Sequence, residues 1–278
     1  VKRIYWIILF SLIIRTGYAQ YSELGIQAGS MYYVGDLNPS HFKSNHLALG
    51  LLYRYSLNKR IAIRINFLYG NVEANDADND DVFRKNRNLS FRSNIVELGG
   101  MVEFNYYSYA PADKDNRFTT YLFIGFNYFK MRPEAQLGDI WYELNTLSTE
   151  GQGLSGGPNN YRLDAFAVPL GLGLKYNLGE RIALGLEYGI RFTFTDYLDD
   201  VSTTYFPLDE LATQGQVSPV AAQLADRRLD RTAPVSTLEG EPTGLQRGDP
   251  SRKDWYGFAG ISFSVRIGKR ISTCATWD

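Results

Sequence analysis

The sequence predicts an all-β protein, an eight-stranded antiparallel transmembrane β-barrel with long extracellular loops. Three observations predict it. Block after block alternates large apolar residues with small or charged ones at period 2, the signature of strands with two different faces. The connections between those blocks alternate long and short. Tyr and Gly are abundant, at 20 and 26 of 278 residues, while a single Cys is present.

Residues 1–19, VKRIYWIILFSLIIRTGYA, read as a signal peptide. Lys2 and Arg3 give a positive start, Ile4 to Ile14 an apolar run, and Gly17-Tyr18-Ala19 the small residues of a cleavage site before Gln20. An uncleaved anchor is the alternative, but the run falls short of the ~20 residues that a spanning helix needs. The barrel domain is then expected over 20–278. No other apolar run is long enough to cross a membrane as a helix.

The strands follow in order. The first, 21–35, sets Leu24, Ile26 and Ala28 against Glu23, Gly25, Gln27 and Gly29. In 47–57 the row from Leu47 through Tyr53 and Tyr55 to Leu57 opposes Ala48, Gly50, Leu52, Arg54 and Ser56, and Asn58-Lys59 makes a tight turn. The next block, 60–70, sets Ile61, Ile63, Ile65, Phe67 and Tyr69 against Ala62, Arg64, Asn66, Leu68 and Gly70. In 95–106, Val96, Leu98, Val102, Phe104 and Tyr106 oppose Glu97, Gly99, Met101, Glu103 and Asn105. Leu122, Ile124, Phe126 and Tyr128 mark the fifth strand. In 165–176 and 181–194 the rows Phe166 to Tyr176 and Ile182 to Phe194 oppose glycines, alanines, Lys175, Glu187 and Arg191. The eighth strand is 255–267. Pro169 lacks a backbone donor, so a strand end or bulge is expected there. Counted from the first strand, the connections are about 11, 2, 23, 11, 33, 4 and 57–60 residues. With a periplasmic N-terminus, every long one is extracellular.

The two faces decide the environment. A soluble lipocalin-like barrel would turn its apolar face inward and decorate the other with polar residues. Here the second face is mostly Gly and Ala with a few charges, which suits a narrow packed lumen. The apolar face, with its tyrosines, suits lipid and aromatic girdles. Arg54, Arg64, Glu97, Glu103, Lys175, Glu187 and Arg191 are therefore candidate barrel-interior charges. They line either a pore or an ion-paired plug, and a lumen barely wide enough for its own side chains favours the plug. The slightly negative mean hydropathy, which alone would read as soluble, averages over these faces and the polar loops.

Lys plus Arg number 29 and Asp plus Glu 30, a net charge of −1, which excludes nucleic acid as a main partner. Asp76, Asp78 and Asp80 match the first carboxylates of a calcium loop. Asp81 replaces its Gly and Arg87 its final Glu, so a solvated acidic loop is expected and no metal. His41 and His46 lie in the first loop, and Ser40-His41 resembles the pair of a lipid-modifying enzyme, but an exposed loop His with no orienting carboxylate reads as a polar loop residue. The Gly-rich stretch 151–158 lacks the Lys-Ser/Thr of a phosphate loop. Cys274 is without a disulfide partner and without a CxxC metal motif. No catalytic residue and no cofactor is expected. The loop at roughly 196–254, with a short helix over 217–231, is large enough to be a partner or lid element.

Two stretches carry a family resemblance. Tyr21-Ser22-Glu23-Leu24-Gly25-Ile26 through Tyr32-Tyr33-Val34-Gly35-Asp36-Leu37-Asn38-Pro39 resembles the opening of the PorG-like (DUF6089) outer-membrane barrels of Bacteroidetes. Thr195-Asp196-Tyr197-Leu198-Asp199-Asp200-Val201-Ser202 resembles that family's segment after the seventh strand, and Val168 to Gly173 and Trp255-Tyr256-Gly257 extend the likeness. The resemblance implies a non-enzymatic barrel of the outer membrane, in contact with its lipid. It further implies an accessory role in type IX protein secretion and gliding motility, beside the periplasmic ring of a lipoprotein and its partner. Asp36, Asn38, Asp196, Tyr197, Asp199 and Asp200 become the candidate partner motif, although turn chemistry where a strand leaves the membrane explains the aspartates equally. A lipid-modifying barrel enzyme and a generic adhesion or small-solute barrel are the alternative readings.

Overall fold

The computed structural model describes residues 21–110, 115–206, 219–230 and 245–267, so the segment 1–19 and Cys274 lie outside the described residues. The strands are β1 (Tyr21–Val34), β2 (His46–Ser56), β3 (Ile61–Asn75), β4 (Ser90–Asn105), β5 (Phe118–Leu137), β6 (Ile140–Glu143), β7 (Asp164–Asn177), β8 (Ile182–Thr193) and β9 (Trp255–Ile267). Eight of them form an antiparallel meander in which each strand pairs with the next, and β1 pairs with β9 to close the ring. The short β6 is a hairpin extension of β5 outside that ring. Closure leaves the ring without an open edge, the condition for strands in lipid.

The connections sort by end. At one end lie the links 57–60, 106–117 and 178–181, the middle one no shorter than L1; at the other lie the loops L1 (35–45), L2 (76–89), L3 (138–163) and L4 (194–254). Asn58 Oδ1 tightens the first link by accepting from Arg60 N at 2.7 Å and Ile61 N at 2.8 Å. Pro169 sits in mid-strand without a bulge. The β5–β7 ladder keeps one register and drops its pairs opposite Val168–Pro169, so the missing donor costs one local gap.

Alternate residues face out as the period-2 pattern requires. Leu24, Ile26, Leu51, Ile65, Leu98, Leu122, Leu172, Leu186 and Ile261 are exposed on the wall, a continuous apolar belt. Aromatic residues rim it: Tyr69, Tyr128, Phe166 and Trp255 toward the loops, and Tyr53, Tyr106, Phe118 and Tyr176 toward the turns.

Three strands outrun their sequence-predicted ends. β3 continues to Asn75, β4 begins at Ser90, and β5 runs to Leu137. Beyond the belt their polarity inverts. Val72, Ala74, Phe91, Phe129 and Met131 turn inward and are buried, while Asn71, Glu73, Arg92 and Arg132 turn outward. The inward residues meet Leu89, Leu144, Leu198, Val201 and Leu224 from the loops in a hydrophobic core. The loop end is thus a folded cap held by ordinary apolar burial.

Candidate functional site: a charged lumen under a loop cap

The lumen holds its charges in two tiers. In the lower tier, Arg54 and Arg64 are direct cross-strand neighbours, a pairing that repels unless carboxylates intervene. Three do. Glu23 accepts from Arg54, and Glu187 accepts from both terminal nitrogens of Arg64. Glu103 takes Arg54 Nε at 2.8 Å, Arg64 Nη1 at 3.1 Å and Lys175 Nζ at 2.7 Å. In the upper tier, Glu97 accepts from Arg191 Nε at 3.3 Å and from the Tyr256 hydroxyl at 2.6 Å. All eight side chains are buried, and four cations face four carboxylates.

Aromatic rings fill the space between. The Arg64 guanidinium stands 4.9 Å from the Phe123 ring, and Lys175 Nζ stands 4.4 Å from the Tyr121 ring. Gly171 and Gly189 let Phe123 cross the lumen: a Cβ on either would sit 2.4 or 2.5 Å from its ring tip. At the turn end residues 106–110 place Tyr109, fully buried, whose hydroxyl donates to Asn177 Oδ1 at 2.5 Å.

The cap is pinned by two buried arginines from L2 and L4. L2 contains a short 3-10 turn (Asp76–Asp78) and helix α1 (Val82–Arg87), capped by Asp81, whose carboxylate accepts from Phe83 N. Arg87 binds Asp76 through Nε at 2.7 Å and Nη2 at 2.8 Å, and also reaches the carbonyls of Asp36 and Arg247. Asp76 is fully buried, so the expected solvated loop is corrected at that residue. The Asp76 carboxylate is met instead by the guanidinium of the loop's twelfth residue, Arg87. Among the described residues no group of three or more ligating side chains could hold a metal. From L4, Arg247 donates to Glu150 of L3 at 2.8 Å, to the Asp200 carbonyl at 2.6 Å and to the carbonyl of Ala225 in α2 (Pro219–Ala225).

The six motif residues lie within this cap. Asn38 is buried and donates to the carbonyls of Tyr33 and Ser40, each at 2.9 Å. Asp36 accepts from Asp249 N at 2.9 Å, and burial pushes its carboxyl up to about 7. Asp196 accepts from Ser202 Oγ at 2.6 Å, with burial pushing its carboxyl up to about 6. Tyr197 stacks on Tyr161 with ring centroids 4.5 Å apart. Asp200 accepts from Tyr161 OH at 2.6 Å and from Thr149 Oγ1, and burial raises its carboxyl to about 6. Asp199 Oδ1 accepts from Val201 N, and its Oδ2 lies 2.5 Å from the Tyr33 hydroxyl.

That hydroxyl also lies 2.8 Å from Asp254 Oδ1. A phenol has one hydrogen and can satisfy only one carboxylate. The second carboxyl completes the set only by carrying its own proton and donating it to the phenol oxygen. Burial and the neighbouring acids raise both carboxyls well above the usual carboxylate range. The geometry therefore calls for a proton shared among Asp199, Tyr33 and Asp254, and burial favours it.

Between L1, α1 and L4 a cleft of about 770 Å³ opens to solvent, lined by Asp36, Phe83, Arg84, Arg87, Asp249, Lys253 and Trp255. The histidines lie apart from it. His46 Nε2 is 3.4 Å from Glu73 Oε2, so it has the carboxylate neighbour the sequence did not suggest. His41 Nδ1 is 3.1 Å from the Tyr32 hydroxyl on the outer wall. Sequence reasoning missed Glu23, Tyr33, Glu150, Arg247 and Asp254. Glu23 shared the inward row and was legible. Arg247 pairs with groups 47 and 97 residues away and has no periodic signal.

Among curated proteins none matches the chain. Among solved structures, Ail, the attachment invasion locus protein of Yersinia pestis, in complex with the heparin analogue sucrose octasulfate, is 11% identical with a TM-score of 0.41, covering 90% of this chain and 100% of that one. Neisserial surface protein A is 8% identical, with a TM-score of 0.38 and coverage of 88% and 97%. The outer membrane protein OprG of Pseudomonas aeruginosa is 10% identical, with a TM-score of 0.36 and the same two coverages, 88% and 97%. The family described as Domain of unknown function (DUF6089) matches residues 2–211, more than half of the chain, and the chain belongs to that family.

Proposed function

We propose that this protein is a non-enzymatic outer-membrane barrel that acts through protein partners as an accessory, structural subunit of type IX secretion, as the resemblance to PorG-like barrels implies. The observation that carries the structural half of this reading is the lumen. Its eight charges neutralise one another, Tyr109 fills the turn end, and the cap fills the other. A barrel packed in this way suits a rigid platform better than a conduit.

The proposed partners, a periplasmic ring lipoprotein and its associate, would meet the turn end. Tyr107 and Leu178 are exposed there beyond the aromatic rim, the kind of aromatic and apolar surface that protein interfaces favour. The motif aspartates at the opposite end then hold the cap, and act on partners only through its shape. Crosslinking followed by pull-down from outer membranes tests the role. Recovery of the ring lipoprotein, with a secretion defect in a deletion strain, is the expected result. Normal secretion in that strain, with no ring component recovered, would overturn it.

A further inference from the structure

A groove of about 570 Å³ runs down the outer wall where β1, β8 and β9 meet. Its floor is made of small outward residues on the closing seam: Ala28 faces Ile261, and Ala259 faces both Ser30 and Tyr188. Leu172, Leu186 and Ile261 stand up beside it, 53–63% exposed. L1 bends back over its upper end and places Phe42 against Tyr32 and Tyr188, with ring centroids 4.9 and 5.4 Å apart. Phe42 holds a left-handed backbone, φ 61°, and remains 53% exposed. A non-glycine residue rarely holds that conformation unless its surroundings fix it, and here the packing of its ring does so.

Under Phe42 lies a polar chain. The Tyr32 hydroxyl is 2.7 Å from that of Tyr188 and 3.1 Å from His41 Nδ1. The site therefore has an apolar trough continuous with the lipid-facing belt, and hydroxyl and imidazole groups at its loop-side end. That is the polarity of one membrane lipid, chain below and headgroup above. We propose that this groove binds an acyl chain of the outer-leaflet glycolipid, with His41 and Tyr188 at its headgroup and Phe42 clamping the chain. The inference rests on the barrel's place in the membrane, independent of any secretion role.

The test is native mass spectrometry of the full barrel extracted from outer membranes and washed in a delipidating detergent. Wild type should retain one glycolipid. Ala259→Leu fills the trough from the lipid side and should lower retention about tenfold, and Phe42→Ala should lower it as well. Leu98→Ala, on another part of the wall, should retain lipid as wild type does. Heat-modifiable gel migration identifies folded variants, and Ala28→Leu fills the same trough should Ala259→Leu fail to fold. No retained lipid in wild type, equal retention in the trough-filling variants, or phospholipid in place of glycolipid would each overturn the proposal.

Discussion

Arg87 grips Asp76 with two parallel hydrogen bonds, Nε to Oδ2 at 2.7 Å and Nη2 to Oδ1 at 2.8 Å. A run that imitates a calcium loop is thus neutralised by its own guanidinium, which also ties L2 to the carbonyls of Asp36 and Arg247. Chelator should leave protease resistance of the loops unchanged. Arg87→Ala orphans a buried carboxylate, which costs about 3 kcal/mol and makes local opening about 100-fold more frequent. Arg87→Lys rescues little, since an ammonium cannot form the fork. Limited proteolysis of folded barrel, with and without chelator, reads all of these; protection that depends on calcium would contradict the assignment.

Glu103 receives three cations in the lower lumen. Glu103→Gln leaves Arg54, Arg64 and Lys175 short of a charge partner in a buried tier. The expected loss is about 3–5 kcal/mol of unfolding free energy. Urea titration of the detergent-folded barrel, followed by heat-modifiable migration, gives the midpoint. An unshifted midpoint would show that the tier contributes nothing to stability.

The shared proton makes the cap sensitive to pH. The folded carboxyls at Asp36, Asp196 and Asp200 sit at about 7, 6 and 6, and those at Asp199 and Asp254 are raised as well. An unfolded Asp titrates near ~3.9. Between those values the folded cap binds more protons than the unfolded chain, so stability falls as pH rises. The contribution is full below about 4 and is lost as pH climbs through 6 to 7 and beyond. Cleavage within L4 should therefore be faster at pH 8 than at pH 5. Asp199→Asn, which removes one charge beside Tyr33, should flatten that profile. Cleavage that slows with rising pH would refute the shared proton.

Gly171 and Gly100 provide a matched pair. A Cβ at Gly171 meets the Tyr188 carbonyl at 2.3 Å and the Phe123 ring at 2.4 Å, whereas at Gly100 nothing lies within 4 Å. Gly171→Ala should destabilise by about 1–3 kcal/mol, and Gly100→Ala should be neutral or slightly stabilising. The same urea titration distinguishes them.

Much of this was legible because lipid imposes a strict rule. Residues such as Leu98 and Glu97 must face opposite environments, so period 2 assigns both strand and face. The rule lapses above the belt. At Val72 and Glu73 the apolar residue turns inward and the charged one outward, so the alternation continues with reversed meaning. Strand ends there were not readable from the lipid pattern. The cap was less legible still. Asp199 and Asp200 stand out in sequence, but their partners Tyr33, Asp254 and Arg247 come from other segments, brought together only by the closed barrel.

In the proposed role, partners meet the turn end while the loop end is a self-contained cap. Site-specific photocrosslinking in intact cells tests it most directly, with the probe at Tyr107 on the turn end or at Val82 on α1, which are 51% and 81% exposed. The Tyr107 probe should form an adduct with a periplasmic lipoprotein, and the Val82 probe should form none. Adducts from Val82 alone, or none from Tyr107 in cells that secrete normally, would contradict the account.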